Sequence, residues 1–374
     1  MNRSLTVLAF SLFAPALAAP QDPEPPEPYQ QQQTRFEFKV DALARQEWTQ
    51  EIFDAVDQFH DDSRWRLQLR PRIEAGFGPV MLGVGGDFNY SQDENNEPPP
   101  ALQRDNYDSR DARLDLAFGG LQLGPLRVQA GRLIQPVPLT EMLWDRDLRI
   151  QGGVATLEFW DLSESVRRLG VTAVYAPQDA HVFETGDTTL LLFSGGATFG
   201  SPSGTGLEFE VSYLKFTEFG GAEPLEPMIR RQNSRTPTGM VAGPFEVIDL
   251  VARIRRTGQA PMQLVVDYSW NRALDADHKG LWLAAVLGAL QTTPARLEYT
   301  YAKVDRDATL AAYGTDDFFW VTGWEGHRLD VGVRSGGHAS VHAIGQLQRF
   351  KDSPREFERD AWVKRYRLEV RVRN

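Results

Sequence analysis

The 374-residue chain contains no cysteine, which excludes a disulfide scaffold, a zinc–cysteine site and thiol chemistry together. Long hydrophobic runs are also missing: beyond the first 18 residues the longest, Gly280 to Leu290, is about half of the ~20 apolar residues that a membrane-spanning helix requires. Basic residues are in the minority. With 40 Lys and Arg against 51 Asp and Glu, the net charge of -11 has the wrong sign for a nucleic-acid binder held by phosphate contacts. No HExxH, GxSxG or P-loop motif occurs. The six histidines are scattered. His338 and His342 share one face of a strand, which permits a metal pair, but no carboxylate lies beside them in sequence to complete it. Ser340 and His342 alternate with small apolar residues, and nothing in the sequence orients a triad. The expectation is a non-enzymatic chain with no cofactor and no metal.

What is present is a folding composition, 41% hydrophobic and 24% charged. Residues 1–18 read as a secretory signal peptide: Arg3, an apolar run from Leu5 to Leu17, and a small-residue cleavage site ending at Ala18. Residues 19–34 are rich in Pro and Gln, have little to bury, and read as an extended periplasmic lead-in. From residue 35 to 374 no composition shift marks a second domain.

One type of segment recurs through that stretch. From Arg64 to Glu74 the polar residues Arg64, Arg66, Gln68, Arg70, Arg72 and Glu74 alternate with Trp65, Leu67, Leu69, Pro71 and Ile73. A period of two is a strand; as a helix this segment would spread Arg over every face. The last segment repeats the logic, with Arg365, Arg367, Glu369, Arg371 and Arg373 against Tyr366, Leu368, Val370 and Val372. Counting weaker members, sixteen segments qualify, among them Arg35 to Arg45, Arg113 to Phe118, Leu126 to Ile134 and Ile248 to Arg255.

Their connections alternate strictly between short Gly/Pro/Ser turns, such as Gly76 to Pro79, and long links: Trp48 to Asp62, Ser91 to Ser109, Gln135 to Leu148 and Thr217 to Phe245 among others. Trp65, Tyr90, Tyr175, Tyr213, Trp270, Trp282, Tyr301 and Trp362 fall at the long-link ends, as an interfacial aromatic girdle would. Phe118, Phe159 and Trp160 form a thinner opposite rim. A soluble β-sandwich with one buried face is the competing architecture, but Greek-key sandwiches cross their connections and this pattern does not. The pattern predicts an all-β fold, a closed antiparallel up-and-down transmembrane β-barrel of about sixteen strands.

On those features the chain from residue 35 resembles bacterial outer-membrane β-barrels of the porin class. Leu126 to Pro136 (LRVQAGRLIQP) is similar to the Gly-Arg strand-end pattern of phosphate-selective and alginate-export porins. The alternating Tyr366, Leu368, Val370 and Val372 resemble the signal read by the barrel-assembly machinery, departing from it at Asn374, where the family usually has Phe or Trp. The resemblance implies an integral protein of the Gram-negative outer membrane, surrounded by lipid and lipopolysaccharide, and trimerisation is common among porins of this size.

If the apolar positions face lipid, the alternate ones line the lumen. Arg64, Arg66, Arg70, Arg72, Arg113, Arg253, Arg255, Arg365, Arg367 and Arg371 are then the expected pore-lining residues, and closure should set the last strand beside the first in one basic wall. Two readings of these arginines stand open: pairing with carboxylates on neighbouring strands, or a ladder that lowers the barrier for anions. Acidic loop residues such as Asp54, Asp57, Asp61 and Asp62 read as solvated charge, or as a mouth binding divalent cations alongside lipopolysaccharide. Arg230, Arg231 and Arg235, beside Leu225, Met228 and Ile229 in the longest link, are the expected constriction residues. The function expected is a passive channel for small polar, preferentially anionic, solutes. A conduit for an anionic polysaccharide and a non-conducting secreted adhesin or binding module are the alternatives.

Overall fold

The computed structural model describes residues 34–52, 59–93, 110–177, 189–201, 204–217, 233–234, 236, 241–314, 318, 322–351 and 361–373. Sixteen strands close into a single antiparallel barrel in which each strand pairs with its sequence neighbours and the last pairs with the first. They are β1 (Arg35–Ile52), β2 (Phe59–Phe77), β3 (Val80–Asp93), β4 (Arg110–Leu123), β5 (Leu126–Ile134), β6 (Arg149–Trp160), β7 (Val166–Pro177) and β8 (Thr189–Gly200), followed by β9 (Thr205–Thr217), β10 (Phe245–Arg256), β11 (Met262–Asn271), β12 (Lys279–Leu287), β13 (Ala295–Val304), β14 (Trp324–Arg334), β15 (Ala339–Phe350) and β16 (Val363–Arg373). Closure leaves no unpaired edge, a condition for a sheet to sit in hydrocarbon. Every segment read from sequence periodicity coincides with one strand.

Burial is inverted relative to a water-soluble fold. Phe193 on β8 is 55% exposed on the outer face, while Asp249 on β10 and Asp87 on β3 are fully buried inside. A soluble sandwich would bury the first and expose the second; lipid outside and a polar interior give what is seen.

The aromatic girdle is largely in place. Tyr90 and Tyr175 lie exposed on the outer wall, and Trp65 packs against Tyr90 with ring centroids 5.0 Å apart. Trp282 departs from it: on β12 the outer positions are Leu281 and Leu283, so Trp282 points inward, 4% exposed, against Phe318. Phe118 departs as well. Gly86 pairs with Leu114 but Gly85 pairs with Leu116, so Asp115 is an extra residue in the ladder. This bulge reverses the parity of β4 beyond it, turning Phe118 inward onto Gly83. Phe159 stays on the outer wall.

Candidate functional site: the barrel lumen

Because strand parity puts the polar set inside, the predicted arginines all lie on inward positions, and the register decides what each one meets. Closure sets Thr49 opposite Arg365, Glu47 opposite Arg367, Arg45 opposite Glu369 and Asp41 opposite Arg373. Across β1 and β2, Glu47 stands opposite Arg64. Glu47 thereby becomes the hub of three strands, accepting from Arg367 Nε and from Arg64 Nη2 at 3.1 Å, with Arg365 Nε at 3.6 Å. Beside it, Arg45 Nε donates to Glu369 Oε1 and Arg371 Nε to Glu369 Oε2, each at 2.7 Å. On β3, Asp87 meets Arg70 at 3.0 Å and Arg113 at 3.3 Å, and also accepts from Gln68 and Asn89. Arg66 donates to Asn89, Arg72 lies 3.6 Å from Glu74, and on the far wall Arg253 and Arg255 share Glu208.

Cross-strand pairing with carboxylates is therefore the first role of these side chains, and because cations outnumber carboxylates on β2 and β16 themselves, many of the partners come from neighbouring strands, Glu47 and Asp41 on β1 and Asp87 on β3 among them. The described inward faces of β2 and β16 carry Arg64, Arg66, Arg70, Arg72, Arg365, Arg367, Arg371 and Arg373 against Glu74 and Glu369.

The segment between β5 and β6, residues 135–148, which the sequence presents only as a long link, folds into this lumen. Its chemistry explains the fold: Val137, Met142, Leu143 and Trp144 are apolar residues in a loop and all become buried, most of them with Leu190, Phe216, Phe245 and Tyr313 in a cluster inside the barrel. Polar groups fix it at both ends. Asp147 pairs with Arg70 and lies 3.7 Å from Arg66 on β2. At the other end the Pro138 carbonyl accepts from Arg253 on β10, Thr140 donates to Asp267 on β11, and Glu141 Oε2 accepts from Arg328 Nη1 on β14 at 2.7 Å. Strands β2 and β10 are diametrically opposed in a ring of sixteen, so the loop crosses the lumen. Gly280 on β12 makes room for it: a Cβ there would sit 2.6 Å from Met142 Sδ. Arg328 joins a second inward segment, placing its guanidinium 5.1 Å from the Phe318 ring and 5.5 Å from Trp282.

Arg230, Arg231 and Arg235 lie outside the described residues, as do residues 1–33 and Asp54 and Asp57. Of the same long link, Asn233 is described; it donates to the Thr309 carbonyl at 3.0 Å and accepts from the Ala311 amide at 2.8 Å, tying this link to the one after β13. Glu47, Glu141 and Asp147 escape the sequence reading as lumen residues, whereas alternation along Pro261 to Asn271 already turns Asp267 inward, where it is fully buried. The signal for Glu141 and Asp147 is the run Val137, Leu139, Met142, Leu143, Trp144, too apolar for a solvated loop; Glu47 has no signal without the register.

The two histidines do not form a ligand pair. His338 Nδ1 lies 3.2 Å from the Arg373 carbonyl, whereas His342 bridges Ser340 and Asp330. The neighbouring strand thus supplies the orienting carboxylate that the local sequence lacked.

No protein-family profile and no curated protein matches the sequence. Among solved structures the chain is similar to OprB of Pseudomonas putida, with a TM-score of 0.54 and 11% identity over 91% of this chain and 94% of that one. Salmonella typhi OmpF aligns at a TM-score of 0.49, 11% identity and 91% and 97% coverage, and a triple mutant of the Rhodopseudomonas blastica porin at 0.46, 10% identity and 91% and 100% coverage. With its closed ring of sixteen antiparallel strands, the chain has the fold of a porin-class outer-membrane β-barrel.

Proposed function

We propose that the chain is an outer-membrane porin, a water-filled channel for passive diffusion of small polar solutes with a mild preference for anions. The observation that carries the reading is a polar lumen with an arginine-rich sector on β16, β1 and β2, enclosed by an apolar outer wall and crossed by a loop fixed to both sides. Rings of Arg lower the barrier for anions by replacing part of their hydration energy. Of the ten predicted pore-lining arginines, Arg72, Arg255 and Arg371 are the most accessible to a solute, with side chains 28%, 50% and 24% exposed. A loop across the lumen favours small solutes over an anionic polysaccharide. A wet interior has no use in an adhesin.

In this reading the short turns face the periplasm and the long links the exterior. Residues 1–18 act as the cleaved secretory signal and 19–34 as the lead-in, the β16 pattern engages the barrel-assembly machinery, and the outer wall contacts lipid and lipopolysaccharide, alone or as a homotrimer. Planar-bilayer recording across a KCl gradient tests it. Stepwise openings with an anion-selective reversal potential are expected, and replacing Arg72, Arg255 and Arg371 together by Gln should move that potential toward zero. A silent bilayer refutes the channel; an unchanged potential in the triple variant refutes the anion role.

A further inference from the structure

A passive channel has no need of an oriented imidazole, yet the lumen contains one. Near the short-turn end of β14 and β15, Ser340 Oγ lies 3.0 Å from His342 Nε2, and His342 Nδ1 lies 2.8 Å from Asp330 Oδ1. A carboxylate only accepts, so the hydrogen is assigned to Nδ1, which leaves the Nε2 lone pair to receive the serine proton. The arrangement is built rather than incidental. Gly332 stands directly opposite His342, and a Cβ at that position would be 2.7 Å from Cε1, so the ring occupies space that any other residue would fill. The imidazole is buried, while the serine is partly open to the lumen. Cationic side chains surround it. Arg371 is in register with Ser340, and Arg371 Nη1 and Arg296 Nη1 lie 3.8 and 3.9 Å from Asp330 Oδ2; Glu369, in register with His342, is held by Arg45 and Arg371.

We propose that Ser340, His342 and Asp330 form an acyl-transfer site that hydrolyses small esters entering from the short-turn mouth, those bearing a carboxylate above all. Ser340 Oγ bonds to the ester carbonyl carbon as its proton passes to His342 Nε2, and the displaced π pair becomes an oxyanion facing Arg371. Collapse breaks the bond to the leaving alkoxide, which takes the proton from Nε2. Water then repeats the sequence on the acyl-serine, releasing the acid and restoring the serine. Asp330 is a positioning residue.

The test uses the purified full-length barrel in detergent and a fluorophosphonate probe, on which Ser340 Oγ would form a P–O bond as fluoride leaves. Wild type should label, Ser340→Ala should not, His342→Gln should label at least a hundredfold more slowly, and Ser163→Ala, an exposed turn serine, should match wild type. Mono-p-nitrophenyl succinate should be cleaved faster than p-nitrophenyl acetate, and Asp330→Asn should lower kcat with KM little changed. Unlabelled wild type under conditions that label a soluble serine esterase, or equal labelling of Ser340→Ala, overturns the proposal. Bilayer conductance of the same samples verifies that each barrel is intact and tests the channel separately.

Discussion

Replacing Glu47 by Gln removes a single negative charge and almost no volume, at a point where three guanidiniums converge. Its side chain is 5% exposed, and those of Arg365 and Arg367 are no more open. Breaking a buried ion pair by neutralising one partner costs about 3–5 kcal/mol, because the desolvated charge opposite loses its compensation. Here the loss is shared by Arg64, Arg365 and Arg367, and the new amide turns N–H donors toward groups that only donate. We therefore expect Glu47→Gln to lower unfolding stability by about 3–5 kcal/mol. Glu37→Gln, at the half-open rim beside Arg35 and Lys39, should cost under about 1 kcal/mol. Urea unfolding from lipid vesicles, followed by tryptophan fluorescence, measures both. High salt should leave the Glu47 penalty standing, since buried pairs are weakly screened. Combining Glu47→Gln with Arg367→Gln should recover part of the loss. A Glu47→Gln stability within about 1 kcal/mol of wild type, the range of exposed pairs, would show that the hub is solvated and that the argument from burial fails.

Two further outcomes follow from the same geometry. Gly280→Val forces a side chain onto Met142 and should lift the 135–148 loop from the β12 wall. Trypsin would then cut after Arg146, whose side chain is 66% exposed, at a concentration that spares wild type; equal resistance would show that the loop does not depend on that contact. Phe193→Arg puts a charge on the outer wall and should cost about 2–4 kcal/mol if the position lies near the membrane midplane. Phe193→Leu should cost well under half as much, and equal stabilities for the two variants in vesicles would mean that this face meets water.

Period-two patterning made the strands legible, and β5 has the bounds that the pattern gives, Leu126–Ile134. It fails where both faces become polar. The link from Trp48 to Asp62 contains further strand, because β1 and β2 keep pairing as far as Ile52 with Phe59. It fails again at the Asp115 bulge, where parity depends on how β4 registers on Gly85 and Gly86 rather than on the residues of β4 themselves. The arginines of the lumen were legible from alternation alone. So were acids on the same face, Asp87, Glu208 and Glu369 among them, but which arginine meets which acid was not, since register is a property of two strands: Glu47 meets Arg367 only through closure, across 320 residues of sequence. Alternation turns Asp330 inward too, but its pairing with His342 on the neighbouring strand is illegible for the same reason.

The lumen also explains why so polar an interior is stable. Among the described residues two apolar clusters lie inside the barrel, and both mix strand with loop: Leu143 and Trp144 with Phe216 and Phe245 in one, Met142 and Phe318 with Trp282 and Trp324 in the other. The outer apolar wall gains nothing from packing against lipid that it lacks in any apolar solvent, so it fixes where the barrel sits rather than how its interior is arranged. The interior arrangement rests on the loops. Their apolar residues supply the burial that holds residues 135–148 across the ring, and that placement brings Glu141 to Arg328 and Asp147 to Arg70. Carboxylates delivered by a loop then face guanidiniums delivered by strands, so the electrostatics of the passage depend on loop packing as much as on the arginines themselves.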